Sequence, residues 1–200
     1  MSCRAVAAVA AALVVGFGST FASAAPAAPA DASARRLAAE IEHRAAATSF
    51  ADLGRFADAA SKGDGREALR RLHYAANIYL DQSEFDQFEH WNGLLAAKAA
   101  RAGDGRYAEI ARIDALKSRY DRGDTTVTPE IERAAASEPD WYARVHAMGV
   151  DAQILDTERE AGKALELLFQ AEDQIKSNDL DTAAAESEIW GDTGVALIQL

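Results

Sequence analysis

The sequence predicts an all-α fold, built as a right-handed stack of antiparallel helical hairpins. The string Ala-Ala-x-x-Gly-Asp-Gly-Arg occurs at Ala59–Arg66 and again at Ala99–Arg106, at a spacing of 40 residues. A repeat at a fixed spacing of this size is typical of stacked helical units. Beyond residue 34, apolar residues recur at helical spacing, and no run of alternating Val, Ile and Thr suggests a strand.

The first 24 residues are predicted to be a signal peptide. Arg4 precedes an uncharged apolar run from Ala5 to Gly18, and the small residues Ala22–Ala24 match a signal-peptidase site. We expect cleavage near Ala24 and bacterial Sec-type export, which places the protein in the periplasm or the medium. The alternative is an uncleaved anchor, although a spanning helix needs roughly 20 strongly apolar residues and this stretch is rich in alanine.

Composition restricts the partners of the exported chain. Cys3 is the single cysteine and lies inside the predicted signal, so disulfides and thiolate metal sites are excluded. The net charge of −11 disfavours nucleic acid and anionic lipid as partners, and no later segment is apolar enough to insert into a membrane. Residues 25–34 predict a flexible Ala/Pro leader, and residues 35–200 the repeat domain.

Capping residues and apolar spacing divide the rest of the chain into nine predicted helices. In chain order they start at Asp31, Ser49, Asp64, Ser83, Asp104, Thr128, just after Pro139, Thr157 and Asp181. Ser, Thr and Asp side chains accept hydrogen bonds from the free N–H groups of a first helical turn. Asp64 with Glu67, and Thr157 with Glu160, have capping-box spacing. Gly63, Gly103 and Gly123 are placed to end helices in the left-handed conformation.

The Gly-Asp-Gly-Arg strings are thus interpreted as a helix-ending glycine followed by a helix-capping aspartate. The alternative is a calcium or phosphate loop. One aspartate between two glycines supplies too few oxygens for calcium, and the glycine spacing differs from that of a P-loop. A turn this short makes neighbouring helices antiparallel.

The C-terminal third resembles the tetratricopeptide repeat, most clearly over Val145–Leu200. Its alternating large and small positions are matched in order by Met148, Ala152, Leu155, Ala164, Leu168 and Ala171, and the start of a further unit by Trp190, Gly194 and Leu197. The resemblance implies a concave groove that binds a protein or peptide. Its groove positions correspond to His146, Gln153, Asp156 and Glu188; Asn77 is added from an earlier unit, where no motif places it.

No catalytic or metal-binding pattern is visible along the chain. None of His43, His73, His90 and His146 forms a His-x3-His or His-Glu-x-x-His pattern with another. No serine lies in a Gly-x-Ser-x-Gly elbow. We therefore expect no catalytic residue, no metal and no cofactor. The three tryptophans Trp91, Trp141 and Trp190 have the spacing of core residues.

The sequence favours an exported, non-catalytic module that binds or scaffolds a protein or peptide. An alternative is a periplasmic sensory input region, because the architecture is similar to the sensor segments of some bacterial diguanylate cyclases and histidine kinases. A helical part of a cell-wall lytic enzyme is a third possibility. The last residues, Val195–Leu200, end in mid-helix without a cap, so we expect either an incomplete repeat domain or self-association through the open C-terminal helix.

Overall fold

The structure is a computed structural model that describes residues 50–178. Over this range it contains α-helices, one short 3-10 helix at Thr125–Val127 and no strand, which confirms the predicted all-α class there. The helices are α1 (Phe50–Lys62), α2 (Arg66–Asp81), α3 (Phe85–Ala102), α4 (Gly105–Asp121), α5 (Thr128–Ser137), α6 (Trp141–Thr157) and α7 (Ala161–Asn178). The predicted signal peptide, leader, first helix and last helix lie outside the described residues.

Every helix packs against the next one in the chain. The 3-10 helix between α4 and α5 also packs against both of them. In addition, α4 packs against α2 on one side and against α6 on the other. Three alternate helices therefore form one layer, called the α2–α4–α6 layer below. A single apolar core runs through all seven helices of the described range.

Helix α6 occupies the most enclosed position among the described helices. It packs against α4, α5 and α7, and the stretch Val145–Ala152 is buried without interruption. An amphipathic stripe suits a helix with one wet face, whereas a helix surrounded by others needs small or apolar residues on every face. The alanines and glycine of this stretch meet that need, because they let neighbouring helices approach closely.

The second Gly-Asp-Gly-Arg copy has the predicted geometry. Gly103 ends α3 with φ 67°, and the Asp104 carboxylate caps α4 by accepting a hydrogen bond from the Tyr107 N–H. In the first copy the prediction is wrong, because the left-handed residue is Gly65 (φ 85°) and no side chain caps α2. There the Lys98 side chain donates a hydrogen bond to the Gly63 carbonyl oxygen at 2.8 Å. A lysine side chain thus binds the C-terminal end of α1, where a left-handed glycine was predicted.

The arginines of the two copies link the starts of alternate helices. Arg66 Nε donates to Asp104, the cap of α4, at 3.0 Å. Arg106 Nε donates to Asp140 at 3.0 Å, and Asp140 caps α6 by accepting from two backbone N–H groups. The arginine of each string therefore links the starts of two alternate helices.

Four of the helices end in the same way, with a left-handed residue followed by a backbone hydrogen bond that spans the last turn. The N–H groups of Glu84, Asp104, Asp124 and Glu160 donate to carbonyl oxygens five residues earlier. Gly103 and Gly123 supply the left-handed residue twice, but Ser83 (φ 59°) and Arg159 (φ 66°) supply it after α2 and α6. Ser83 thus ends α2 instead of capping α3 as predicted. Thr157 likewise belongs to α6, where its hydroxyl donates to the Gln153 carbonyl, so it does not cap α7.

We predict that Ser83→Gly and Arg159→Gly each stabilise the protein by about 0.5–1 kcal/mol, because glycine adopts positive φ without steric cost. Ala97→Gly is the matched control, since Ala97 is exposed inside α3 and the same change should there destabilise by about 1 kcal/mol. Urea unfolding of the three variants measures both signs. Destabilisation by all three substitutions would mean that Ser83 and Arg159 are not left-handed.

Candidate functional site

Three buried polar side chains meet inside the α2–α4–α6 layer, one from each helix. They are His73 of α2, Asp114 of α4 and His146 of α6, with 4%, 1% and 4% of their surface exposed. Ionisable side chains are almost never buried to this degree unless they are paired. This His–Asp–His cluster is therefore the candidate functional site.

The two histidines contact opposite oxygens of one carboxylate. His146 Nε2 lies 2.6 Å from Asp114 Oδ1, and His73 Nε2 lies 3.3 Å from Oδ2. The imidazole rings stand edge to face, with centroids 5.1 Å apart. Asp114 consequently bridges the helices on either side of its own.

The cluster is placed by the links at the helix starts. Arg66 and Arg106 each bind the cap of the next helix in the layer. His73, Asp114 and His146 lie seven, nine and five residues after the first residues of their helices, so helices linked at their starts bring the three residues to within about one turn of the same height.

A fourth polar side chain borders the cluster. Asn77 lies one turn after His73, and its Nδ2 is 3.1 Å from His73 Nε2. Within the described part of the chain, the Oδ1 atom of Asn77 is buried and accepts no hydrogen bond. A neutral imidazole nitrogen either donates or accepts, so His73 Nε2 cannot donate to Asp114 and also accept from Asn77. A half-turn of the amide, which exchanges Oδ1 and Nδ2, removes this conflict.

The electrostatics of the cluster favour an ionised carboxylate. Burial on its own raises the pKa of Asp114, but the positive charge and hydrogen bond of His146, together with those of His73, outweigh burial. The pKa of Asp114 is therefore held well below its ordinary value. A buried negative charge of this kind is stabilised either by protonation of the neighbouring imidazoles or by a bound cation.

Two of the five residues predicted to line a partner groove lie at this cluster. His146 belongs to it, and Asn77 contacts it through His73. His146 is buried, so its ring faces Asp114 and not an open surface. Gln153 and Asp156 lie further along α6 and are half-buried. Glu188 lies outside the described residues, and the partner-binding role of all five stays a prediction.

The sequence reasoning missed His73 and Asp114 as members of a site. Ligand spacing along one helix does not reveal these two residues, because they come from separate helices. A usable signal was present in the repeat, because His73 follows Arg66 by seven residues and Asp114 follows Arg106 by eight. Aligning the two copies of the repeated string places both residues at nearly the same height of successive units.

Two imidazole nitrogens and a carboxylate oxygen form a donor set that suits a divalent transition metal. The donor atoms of His73, Asp114 and His146 all lie within 4.8 Å of one another. Without any ion, His146 and Asp114 already share a hydrogen bond, and His73 lies 3.3 Å from the same carboxylate. The geometry alone is therefore compatible with two uses, a cation site and a polar link between helices.

Comparison of the chain with family models, with curated proteins and with solved structures gives no match. The resemblance to the tetratricopeptide repeat therefore stays a prediction from the spacing of residues in this chain. Between residues 50 and 178, none of the helices has both the length and the apolar character that crossing a membrane demands.

A second buried carboxylate, Asp151, lies on α6 outside the cluster. Burial, together with the nearby negative charges of Glu132 and Glu158, raises the pKa of Asp151 to about 6. Only 8% of its surface is exposed. Ionisation of Asp151 therefore opposes folding, in contrast to ionisation of Asp114.

We predict that Asp151→Asn stabilises the protein at pH 7 by about 3 kcal/mol, since the pKa lies roughly two units above its ordinary value and each unit corresponds to about 1.4 kcal/mol. The folded pKa of about 6 lies above the unfolded value, so the folded state retains a proton between roughly pH 4 and 6 that the unfolded state has lost. Stability of the unmodified protein therefore falls relative to the variant as pH rises through this window.

Urea unfolding at several pH values between 4 and 7 tests this difference. Asp173→Asn is the control, because Asp173 is exposed on α7. A stability difference between Asp151→Asn and the unmodified protein that does not change with pH would refute the assignment.

Proposed function

We propose that the chain is an exported, non-catalytic module of stacked, tetratricopeptide-like helical hairpins that binds a protein or peptide partner. The observation that carries the proposal is the contact of α4 with both α2 and α6. Alternate helices that lie side by side present one continuous surface, and repeat proteins bind extended partners on such surfaces.

Contacts between opposite helix ends support the antiparallel hairpins. Lys98 near the end of α3 binds the Gly63 carbonyl just before α2. Arg122, just after α4, forms an ion pair of 2.7 Å with Glu89 near the start of α3. Arg144 near the start of α6 donates to Gln174 near the end of α7 at 2.8 Å. In each pair, the end of one helix meets the start of the other.

Contacts between like ends support a common direction for alternate helices. Arg106 at the start of α4 binds Asp140 at the start of α6. Near the other ends of these helices, the Tyr120 hydroxyl donates to Glu158 at 3.1 Å. Hairpins whose first helices run the same way are the expected arrangement of a repeat stack.

Burial along the seam between α6 and α7 supports the tetratricopeptide-like spacing. Of the six residues that match the repeat, five are buried and Leu155 is half-buried against the core. The matched alanines Ala152, Ala164 and Ala171 are all at most 1% exposed. Small residues at these points allow the two helices to approach closely.

The surface proposed for the partner lies at the end of the α2–α4–α6 layer that the C-terminal turns of its helices form, on the far side of the His–Asp–His cluster from the helix starts. Gln153 lies seven residues after His146 and therefore on the same face of α6. Asp156 follows on that face, and the chain has a net charge of −11, which favours a partner with basic side chains.

We predict that a photo-crosslinking amino acid at Gln153 captures one defined partner in the cells that export the protein. The same amino acid at Glu166, which is exposed on α7, is the control and should capture much less. Asp156→Ala, introduced beside the crosslinker, should reduce capture at least several-fold while the melting temperature stays unchanged.

Equal capture from Gln153 and Glu166 would contradict a partner surface on this layer. Loss of folding on the Asp156→Ala substitution would instead assign that residue to the structure and remove it from the proposed surface.

A further inference from the structure

We propose that His73, Asp114 and His146 form a binding site for one divalent transition-metal ion of the zinc class. The site goes beyond the proposed partner-binding function, since it lies inside the layer and not on its surface. Two imidazole nitrogens and a carboxylate oxygen are the donors that zinc takes in sites with three protein ligands.

The distances between the donor atoms are close to those that an ion requires. Zinc lies about 2.0–2.2 Å from nitrogen and oxygen ligands, so two ligand atoms of a tetrahedral site are about 3.3 Å apart. His73 Nε2 and Asp114 Oδ2 already have this separation, at 3.3 Å. The 2.6 Å contact of His146 is with the other carboxylate oxygen, Oδ1, so Asp114 must turn to present a single oxygen to an ion that both imidazoles bind. One ligand atom from each of the three side chains lies within 4.8 Å of the other two, so the side chains are near enough to converge on one ion.

The charge of the site favours a cation. Asp114 is 1% exposed, and an ionised carboxylate at that depth requires compensation. Protonated imidazoles would supply the compensating charge, but they would then have no lone pair with which to bind an ion. A divalent ion contributes both the charge and bonds to all three donors.

Asn77 supplies an additional oxygen donor beside the site. Its Oδ1 accepts no hydrogen bond within the described range, and its Nδ2 lies 3.1 Å from His73 Nε2. A half-turn of the amide brings Oδ1 to this position. The side chain then becomes a fourth ligand or accepts a hydrogen bond from a water bound to the ion.

The position of the donors links ion binding to the fold. Because the three donors come from α2, α4 and α6, they meet only when these helices are packed in register. An ion that binds only the folded chain raises its stability. The ion would thus hold the α2–α4–α6 layer together at its centre.

The test uses the full exported chain, without an affinity tag and after removal of metals with a chelator. Zn²⁺ is titrated by calorimetry and Co²⁺ by visible absorption, which reports coordination by nitrogen and oxygen. We expect one ion per chain and a higher melting temperature in its presence. His73→Gln, His146→Gln and Asp114→Asn should each weaken binding at least tenfold.

His90→Gln is the matched control, because His90 is an exposed histidine on α3 and the substitution leaves the site intact. Binding of Zn²⁺ to this variant should equal that of the unmodified protein. Weakening in His90→Gln as large as in His73→Gln, or no binding to the unmodified protein, overturns the proposal and leaves the cluster as a hydrogen-bonded link.

X-ray absorption at the zinc edge of the unmodified protein keeps the test decisive if a site variant fails to fold. Two imidazole ligands in the first coordination shell support the site. One imidazole or none overturns it.

Discussion

The described structure depends on one ionised carboxylate, that of Asp114, held at the centre of the α2–α4–α6 layer. A charge that is 1% exposed is costly unless groups on neighbouring helices bind it. His73 and His146 do so from either side, one at each oxygen. Sliding any of the three helices by one turn, about 5.4 Å, would break at least one of these two contacts, so the cluster favours one register of the helices.

The links at the helix starts and the enclosed helix α6 serve the same end. Arg66 and Arg106 bind the caps of the next helices in the layer, which aligns the helix starts before the buried residues meet. Helix α6 presents small and apolar residues to three neighbours, so its position is set by packing on several sides. A layer fixed at its starts and at its centre offers a rigid surface at its other end, where the proposed partner would cost the protein little conformational freedom on binding.

The sequence predicted the parts of this structure that depend on local interactions. The helical class, the turn around Gly103 and Asp104, and the small residues between α6 and α7 all follow from capping and apolar spacing. The cap predicted at Gly63 was wrong because a residue from another helix, Lys98, binds there. The caps predicted at Ser83 and Thr157 were wrong because the preceding helix extends to these residues. The His–Asp–His cluster was missed for the same reason, since nothing in the spacing along one helix indicates that Asp114 meets two histidines from other helices.

A double-mutant cycle between His73 and His146 tests most directly whether one carboxylate joins the three helices. The unfolding free energies of His73→Leu, His146→Leu and the double variant are measured in metal-free buffer. Residues that share a partner show a coupling free energy of about 0.5–3 kcal/mol, and this account predicts a coupling within that range. Additive effects of the two substitutions would contradict it, because removing one of two groups that bind the same buried carboxylate must change the free-energy cost of removing the other.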